Sequence, residues 1–292
     1  MGRFRSDAAR ERFLGAYDRA VATWPAPPEQ VDVPTRYGTT HVLSSGAGSA
    51  TPIVLLPGIA VSAASWFANA AALGAARPVH AIDTIGDVGR SVQTVPVRDG
   101  ADLASWLDDV LDALGAERVH LVGLSYGGWL ALNQARRSPG RLASVTSVDP
   151  VGSIGGANIA FLARIVPDAL LAAVAKSDRA LLRLLTRFNN GMQPEEPLLG
   201  LSVAGLRTFV GKLPRPKRMG DDDLRAIRIP TLVLFCARSP VNHPARAARR
   251  ARDLIADAQC EIVPDAGHML PVEQPEIFAA RVLEFVRAVD GA

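Results

Sequence analysis

Cysteine, lysine and long apolar runs are all scarce in this 292-residue chain, and each scarcity excludes something. The two cysteines, Cys236 and Cys260, are too few for a disulfide framework. Both fall in apolar strand-like runs, where a small buried thiol is the ordinary state, and a reducing cytoplasm is the expected compartment. Lys176, Lys212 and Lys217 are the only lysines, and the formal charge is +3. No dense basic tract with interleaved aromatics appears, so no nucleic-acid partner is expected. No apolar run reaches the roughly 18 residues of a membrane span, and the N-terminus has no apolar core of signal-peptide length. No membrane partner is expected either.

Histidine is scarce as well, and none of the five is paired at helical ligand spacing. With both cysteines isolated, no metal site is expected. The glycine-rich stretch 152–156 lacks the Lys-Ser/Thr of a phosphate loop, and no cofactor is expected. What remains is an ordinary globular composition, 48% hydrophobic and 21% charged, in a chain long enough to bury a substantial core.

The pattern along the chain is alternation. An amphipathic helix from about Ser6 to Ala22 is stopped by Pro25, Pro27 and Pro28. A hairpin signal follows, Gln30 to Arg36 and Thr39 to Ser44 around a Tyr37-Gly38 turn. The continuous apolar run Pro52–Pro57 reads as a strand covered on both faces. Helices near Ala63 to Leu73, Ala101 to Leu114 and Tyr126 to Arg137 then alternate with strands at Val79 to Asp83, Val119 to Gly123 and Ala143 to Val148. Such alternation implies βαβ units and a parallel sheet, with ligands at the C-terminal strand edge. From 151 to 223 the alternation gives way to Leu/Ala-rich helical spacing, read as an inserted helical cap. The core is then 1–150 and 224–292.

The chemistry concentrates at Gly123-Leu124-Ser125-Tyr126-Gly127, between a strand and a helix. Glycines at 123 and 127 suit a tight strand-to-helix turn that lifts the Ser125 hydroxyl to the sheet edge. A serine hydroxyl needs an imidazole to take its proton, and His268, after the last strand, is the candidate base. His41, His80 and His120 lie within strands, and His243 is a loop alternative. Backbone N–H groups of Tyr126 and Ile59 are the candidate oxyanion donors.

The segments LLPGIAVSAASW, AIDTIGDVGRS, VGLSYGG and PDAGHMLPVEQPEIF together resemble the successive signatures of the α/β-hydrolase superfamily, most closely capped bacterial carboxylesterases. The resemblance spans about residues 30 to 288 and is weakest in the cap. It implies a mostly parallel eight-stranded sheet with helices on both faces and an inserted cap. It also implies a serine hydrolase acting on a small-molecule carboxylic ester, with Ser125 and His268 carried over by motif. Pro57 replaces the histidine usual before the oxyanion-hole glycine, which a backbone donor tolerates.

The acid departs from the family pattern. Its usual turn is Cys236-Ala-Arg-Ser239-Pro240-Val241, with Ser239 where a carboxylate is expected. A serine cannot stabilise an imidazolium by charge. Three readings stay open: relocation of the acid to Asp149 at the end of the Ala143–Val148 strand, a Ser-His pair oriented by Ser239 or a backbone carbonyl, or loss of hydrolysis. Trp66 and Phe67, beneath the cap, are candidate substrate-pocket residues. Acyl transfer, thioester release or cyclisation on the same site, and a non-catalytic ligand-binding role, are the competing functions. The oligomeric state is not legible.

Overall fold

Strands Ile53–Leu56, Val119–Leu124, Leu142–Val148 and Thr231–Cys236 are buried at every position. Continuous apolar runs must be so placed when helices cover both faces of a sheet. The computed structural model describes residues 1–156, 158–189, 191 and 193–291. The chain opens with β1 (Arg3–Phe4), α1 (Asp7–Val21), β2 (Glu29–Thr35), β3 (Gly38–Ser45) and β4 (Ile53–Leu56). A 3-10 segment, Ala63–Ala68, leads into α2 (Ala70–Gly74), β5 (Val79–Ile82), β6 (Val92–Gln93) and α3 (Gly100–Ala113). Next come β7 (Val119–Leu124), α4 (Tyr126–Arg137) and β8 (Leu142–Val148). Then follow α5 (Ile159–Val174), α6 (Asp178–Phe188), α7 (Leu198–Thr208), β9 (Phe209–Val210) and α8 (Asp221–Arg225). The alternation resumes with β10 (Thr231–Cys236), α9 (Pro244–Leu254), β11 (Ala258–Val263), α10 (Leu270–Glu273) and α11 (Pro275–Asp290).

The central sheet runs β11-β10-β8-β7-β4-β5-β3-β2. It is parallel from β11 to β5, and β3 and β2 close it antiparallel. This path has the eight expected strands. The two-residue β6 adds a ninth on β3, too short to show any alternation in sequence. The hairpin turn lies one residue earlier than expected, at Arg36-Tyr37, because Thr35 pairs with Gly38. The expected helix at Ala63 to Leu73 is broken at Asn69, whose side-chain amide leaves the helix to donate to Pro271 O at 2.9 Å.

Two cores flank the sheet. Trp106 of α3, Trp129 of α4 and Ala247 of α9 pack on one face; Phe13 and Tyr17 of α1 and Phe278 of α11 pack on the other. At the N-terminus β1 pairs with β9, so the chain start is tied to the strand that directly follows α7. Strands of two residues each are too short to announce that pairing in the sequence. Among the described residues no helix is long and apolar enough to cross a membrane.

Candidate active site

Ser125 sits between β7 and α4 at φ 58°, ψ −112°, a conformation that costs a non-glycine residue about 1–3 kcal/mol. Its N–H donates to Val148 O at 2.8 Å, which clamps the turn against β8. The glycine spacing has a direct steric cause. A Cβ at Gly123 would lie 2.1 Å from Gly127 O, and a Cβ at Gly127 would lie 2.1 Å from Leu56 O. Three backbones converge there, and only glycine lets them meet.

The ring of His268, in the loop between β11 and α10, meets this hydroxyl. Its Nε2 is 2.9 Å from Ser125 Oγ and its Nδ1 is 2.6 Å from Asp149 Oδ2. A carboxylate at Nδ1 favours the tautomer with the proton there, which leaves Nε2 free to accept from the serine. The loop is held by Glu273, whose carboxylate accepts Gly267 N at 2.6 Å and Met269 N at 3.1 Å.

Asp149 follows β8 at φ 41°, fully buried, with its N–H on Leu234 O of β10 at 2.8 Å. Its Oδ1 accepts from Asn242 Nδ2 at 2.9 Å, and its Oδ2 accepts from Ser239 Oγ at 2.5 Å as well as from the imidazole. Ser239 therefore contacts the carboxylate and is no direct partner of the ring. That corrects the reading in which Ser239 orients His268. Each oxygen of the buried carboxyl group accepts at least one hydrogen bond, as buried polar groups require.

Ile59 and Tyr126 border the same cavity as Ser125 and His268. The loop carrying Ile59 is pinned from below. Asp87 Oδ2 accepts Ala60 N at 3.0 Å, Asp87 Oδ1 accepts Val88 N at 2.8 Å, and Asp83 Oδ1 accepts Ala63 N at 2.7 Å. Burial pushes the Asp87 carboxyl up to about 7, against the two N–H donors that lower it. Burial also raises the Asp83 carboxyl. A Cβ at Gly58 would sit 3.5 Å from Ser125 Cβ, an ordinary contact, so sterics do not demand glycine there.

The remaining histidines are engaged elsewhere. His41 Nδ1 meets Asp32, His80 Nδ1 meets Ser44, and His120 bridges Ser144 and Asp290. His243 is exposed at the start of α9. Among the described residues no group of three His, Cys, Asp or Glu side chains is placed to hold a metal ion.

The cavity over Ser125 measures about 360 Å³. Leu184, Leu185 and Phe188 of α6, Phe161 and Leu162 of α5, and Leu198 and Leu206 of α7 wall it. Among the described residues no Asp, Glu, Lys or Arg lines it. Phe188 stands edge-on to Phe161 at 5.1 Å and 6.0 Å from the His268 ring, so α6 reaches down to that imidazole. Trp66 and Phe67 are not part of this wall. Trp66 is buried against Phe278 of α11, 5.8 Å between centroids, and Phe67 packs on the same core. Their aromatic pair serves helix–sheet packing, which sequence alone does not distinguish from pocket lining.

Asn242 and Glu273 carry no motif of their own in the sequence, Asp87 stands out only within the AIDTIGDVGRS segment, and Leu184 and Leu185 only within the Leu/Ala-rich stretch 151–223. Asn242 and Glu273 lie three and five residues from Ser239 and His268, so proximity to a motif was the available signal. The α6 residues carry only generic helical spacing.

A serine in a tight strand-to-helix turn at the C-terminal edge of a mostly parallel sheet, within hydrogen-bond distance of a histidine that in turn meets an aspartate, is the arrangement of an α/β-hydrolase. The chain belongs to the alpha/beta hydrolase family, whose profile matches residues 53–281. It is 33% identical to carboxylesterase YbfK of Bacillus subtilis (strain 168), over 94% of this chain and 93% of that protein. The crystal structure of carboxylesterase CesB (YbfK) from Bacillus subtilis superposes with a TM-score of 0.87 at 31% identity, covering 96% and 98% of the two chains. That of naproxen esterase from the same organism gives 0.88 at 29%, covering 96% and 99%. The carboxylesterase resemblance carried by the sequence motifs is met in these relatives.

Proposed function

We propose that this chain hydrolyses a carboxylic ester of an apolar small molecule through an acyl-enzyme on Ser125. The observation that carries this is the unbroken line Ser125 Oγ–His268–Asp149, opening onto a cavity that no Asp, Glu, Lys or Arg lines among the described residues. His268 Nε2 takes the proton as Ser125 Oγ attacks the carbonyl. The developing oxyanion is received by the N–H groups of Ile59 and Tyr126, the latter at the first turn of α4 where the helix dipole favours negative charge. The proton passes to the leaving alcohol, the alcohol departs, and water activated by the same imidazole releases the acid. Asp149 holds the ring and stabilises its charged form.

The apolar wall supports a neutral substrate with an apolar acyl or alcohol part, since a charged group there would lose its hydration without a partner. The volume falls within the usual range of small-molecule sites. The loss-of-function reading arose from Ser239 at the usual acid position; a carboxylate 2.6 Å from Nδ1 removes its motive. In this account 151–223 is the cap and 1–150 with 224–292 the catalytic core. The free thiols of Cys236 and Cys260 fit a cytoplasmic setting.

Turnover of p-nitrophenyl esters of graded acyl length tests the proposal. Hydrolysis that rises from acetate to medium-chain esters and disappears in Ser125→Ala is expected. No turnover of any of them, or turnover undiminished by Ser125→Ala, would remove it.

A further inference from the structure

Helix α5 is apolar almost all round, and a helix of that kind is normally buried. Here one side is: Phe161, Asp168 and Ala172 face the protein. The opposite side is open. Ile159 (78% exposed), Leu162, Val166 (50%), Leu170 (58%) and Val174 (80%) recur every three or four residues along it, forming one unbroken stripe. Such a face, with no charged residue within the stripe, is the mark of a docking surface.

Two observations indicate what covers it. Leu162 belongs both to the stripe and to the wall of the cavity over Ser125, and the exposed Ile59 and Leu206 continue the apolar rim at the cavity mouth. The stripe therefore leads into the site. The charge around it is also one-sided. Segment 159–188 carries five cations and two carboxylates, a surplus equal to the +3 of the whole chain. Arg183 and Arg187 are held by the buried Asp168, and Asp178 by Arg207. Arg164, Lys176 and Arg179 are exposed and have no carboxylate partner among the described residues.

We propose that the outer face of α5 docks on an anionic lipid surface, with Ile159, Val166, Leu170 and Val174 entering the apolar layer and Arg164, Lys176 and Arg179 meeting headgroup phosphates. An ester dissolved in the lipid then reaches Ser125 past Leu162 without crossing water. Such docking needs no spanning segment, because a peripheral helix lies in the interface plane and does not cross it. A cytoplasmic leaflet has the required negative potential. The uptake step rests on the ester-hydrolase reading; the docking step does not.

The test is cosedimentation of the full chain with vesicles of phosphatidylglycerol and phosphatidylcholine, beside vesicles of phosphatidylcholine alone. Wild type should pellet with the mixed vesicles, much less with the neutral ones, and less again as salt is raised. Val166→Glu/Leu170→Glu should lower partitioning by about tenfold or more, while its rate on monomeric p-nitrophenyl acetate stays within about twofold of wild type, which shows that it has folded. Arg164→Glu/Lys176→Glu should weaken binding to the anionic vesicles alone. Ser125→Ala should bind as wild type does, so a failure of hydrolysis and a failure of docking are read separately. The proposal is overturned if wild type stays in the supernatant, if the glutamate variant pellets equally, or if the stripe proves to join two copies. That last result would appear as a dimer in analytical ultracentrifugation that the glutamate variant dissolves, without vesicle binding.

Discussion

The turn that holds Ser125 and the helices that roof it are built on opposite terms. At the turn almost nothing can vary: backbones approach within the space of a missing Cβ, and the buried carboxylate of Asp149 has a donor on each oxygen. In the roof, Leu184, Leu185, Phe188 and Leu198 need only be apolar and of suitable volume. The comparison teaches that the reaction is fixed by geometry with few solutions, while the choice of substrate is fixed by packing with many.

The largest effect expected lies at the turn. Ser125→Ala should lower kcat on p-nitrophenyl esters by about 10⁵-fold or more with melting temperature nearly unchanged. Retained turnover would mean that the floor of the site is not where the chemistry occurs. Next, Asp149→Asn should lower kcat about 10⁴-fold, since an amide at this position favours the wrong tautomer of the ring. Because Ser239 lies against the same carboxylate oxygen, adding Ser239→Asp to that variant should recover part of the loss, measured as kcat at saturating ester. Gly123→Ala should destabilise the fold by about 3 kcal/mol or more in urea titration, since its Cβ meets a carbonyl at 2.1 Å.

In the roof the effects should be graded. Phe188→Ala should reduce kcat/KM for medium-chain esters by about 10- to 200-fold and leave the acetate ester little changed. An equal loss on both esters would instead make Phe188 a support for His268. The last expectation concerns the pH dependence set by Asp87. Its carboxyl stands at about 7 in the fold against an ordinary 3.8, so it favours the folded state most at low pH. That contribution is lost as pH rises from the ordinary value through about 7. Melting temperature across that window should fall more steeply in wild type than in Asp87→Asn; parallel curves would contradict the buried carboxyl.

The same contrast explains what the sequence disclosed. Ser125, Gly123 and Gly127 were legible because a steric constraint permits one residue type, and His268 because a single chain order fits the turn. The sheet was legible in its fully buried runs. Asp149 could be offered only as one of three readings, since β8 and β10 become neighbours through the sheet and not along the chain. Trp66 and Phe67 misled because an aromatic pair packs a core and lines a pocket with the same chemistry. The α6 wall was legible only as Leu/Ala-rich helical spacing, because Leu184 and Phe188 differ from other helical apolar residues only in what they face.

Fluorophosphonate labelling followed by peptide mass mapping tests the hydroxyl–imidazole–carboxylate relay most directly, because it reads nucleophile activation without requiring the natural substrate. One adduct is expected, on the peptide containing Ser125, absent in Ser125→Ala and formed far more slowly in Asp149→Asn. No adduct on Ser125 in the intact protein, or labelling of Asp149→Asn at the wild-type rate, would contradict it.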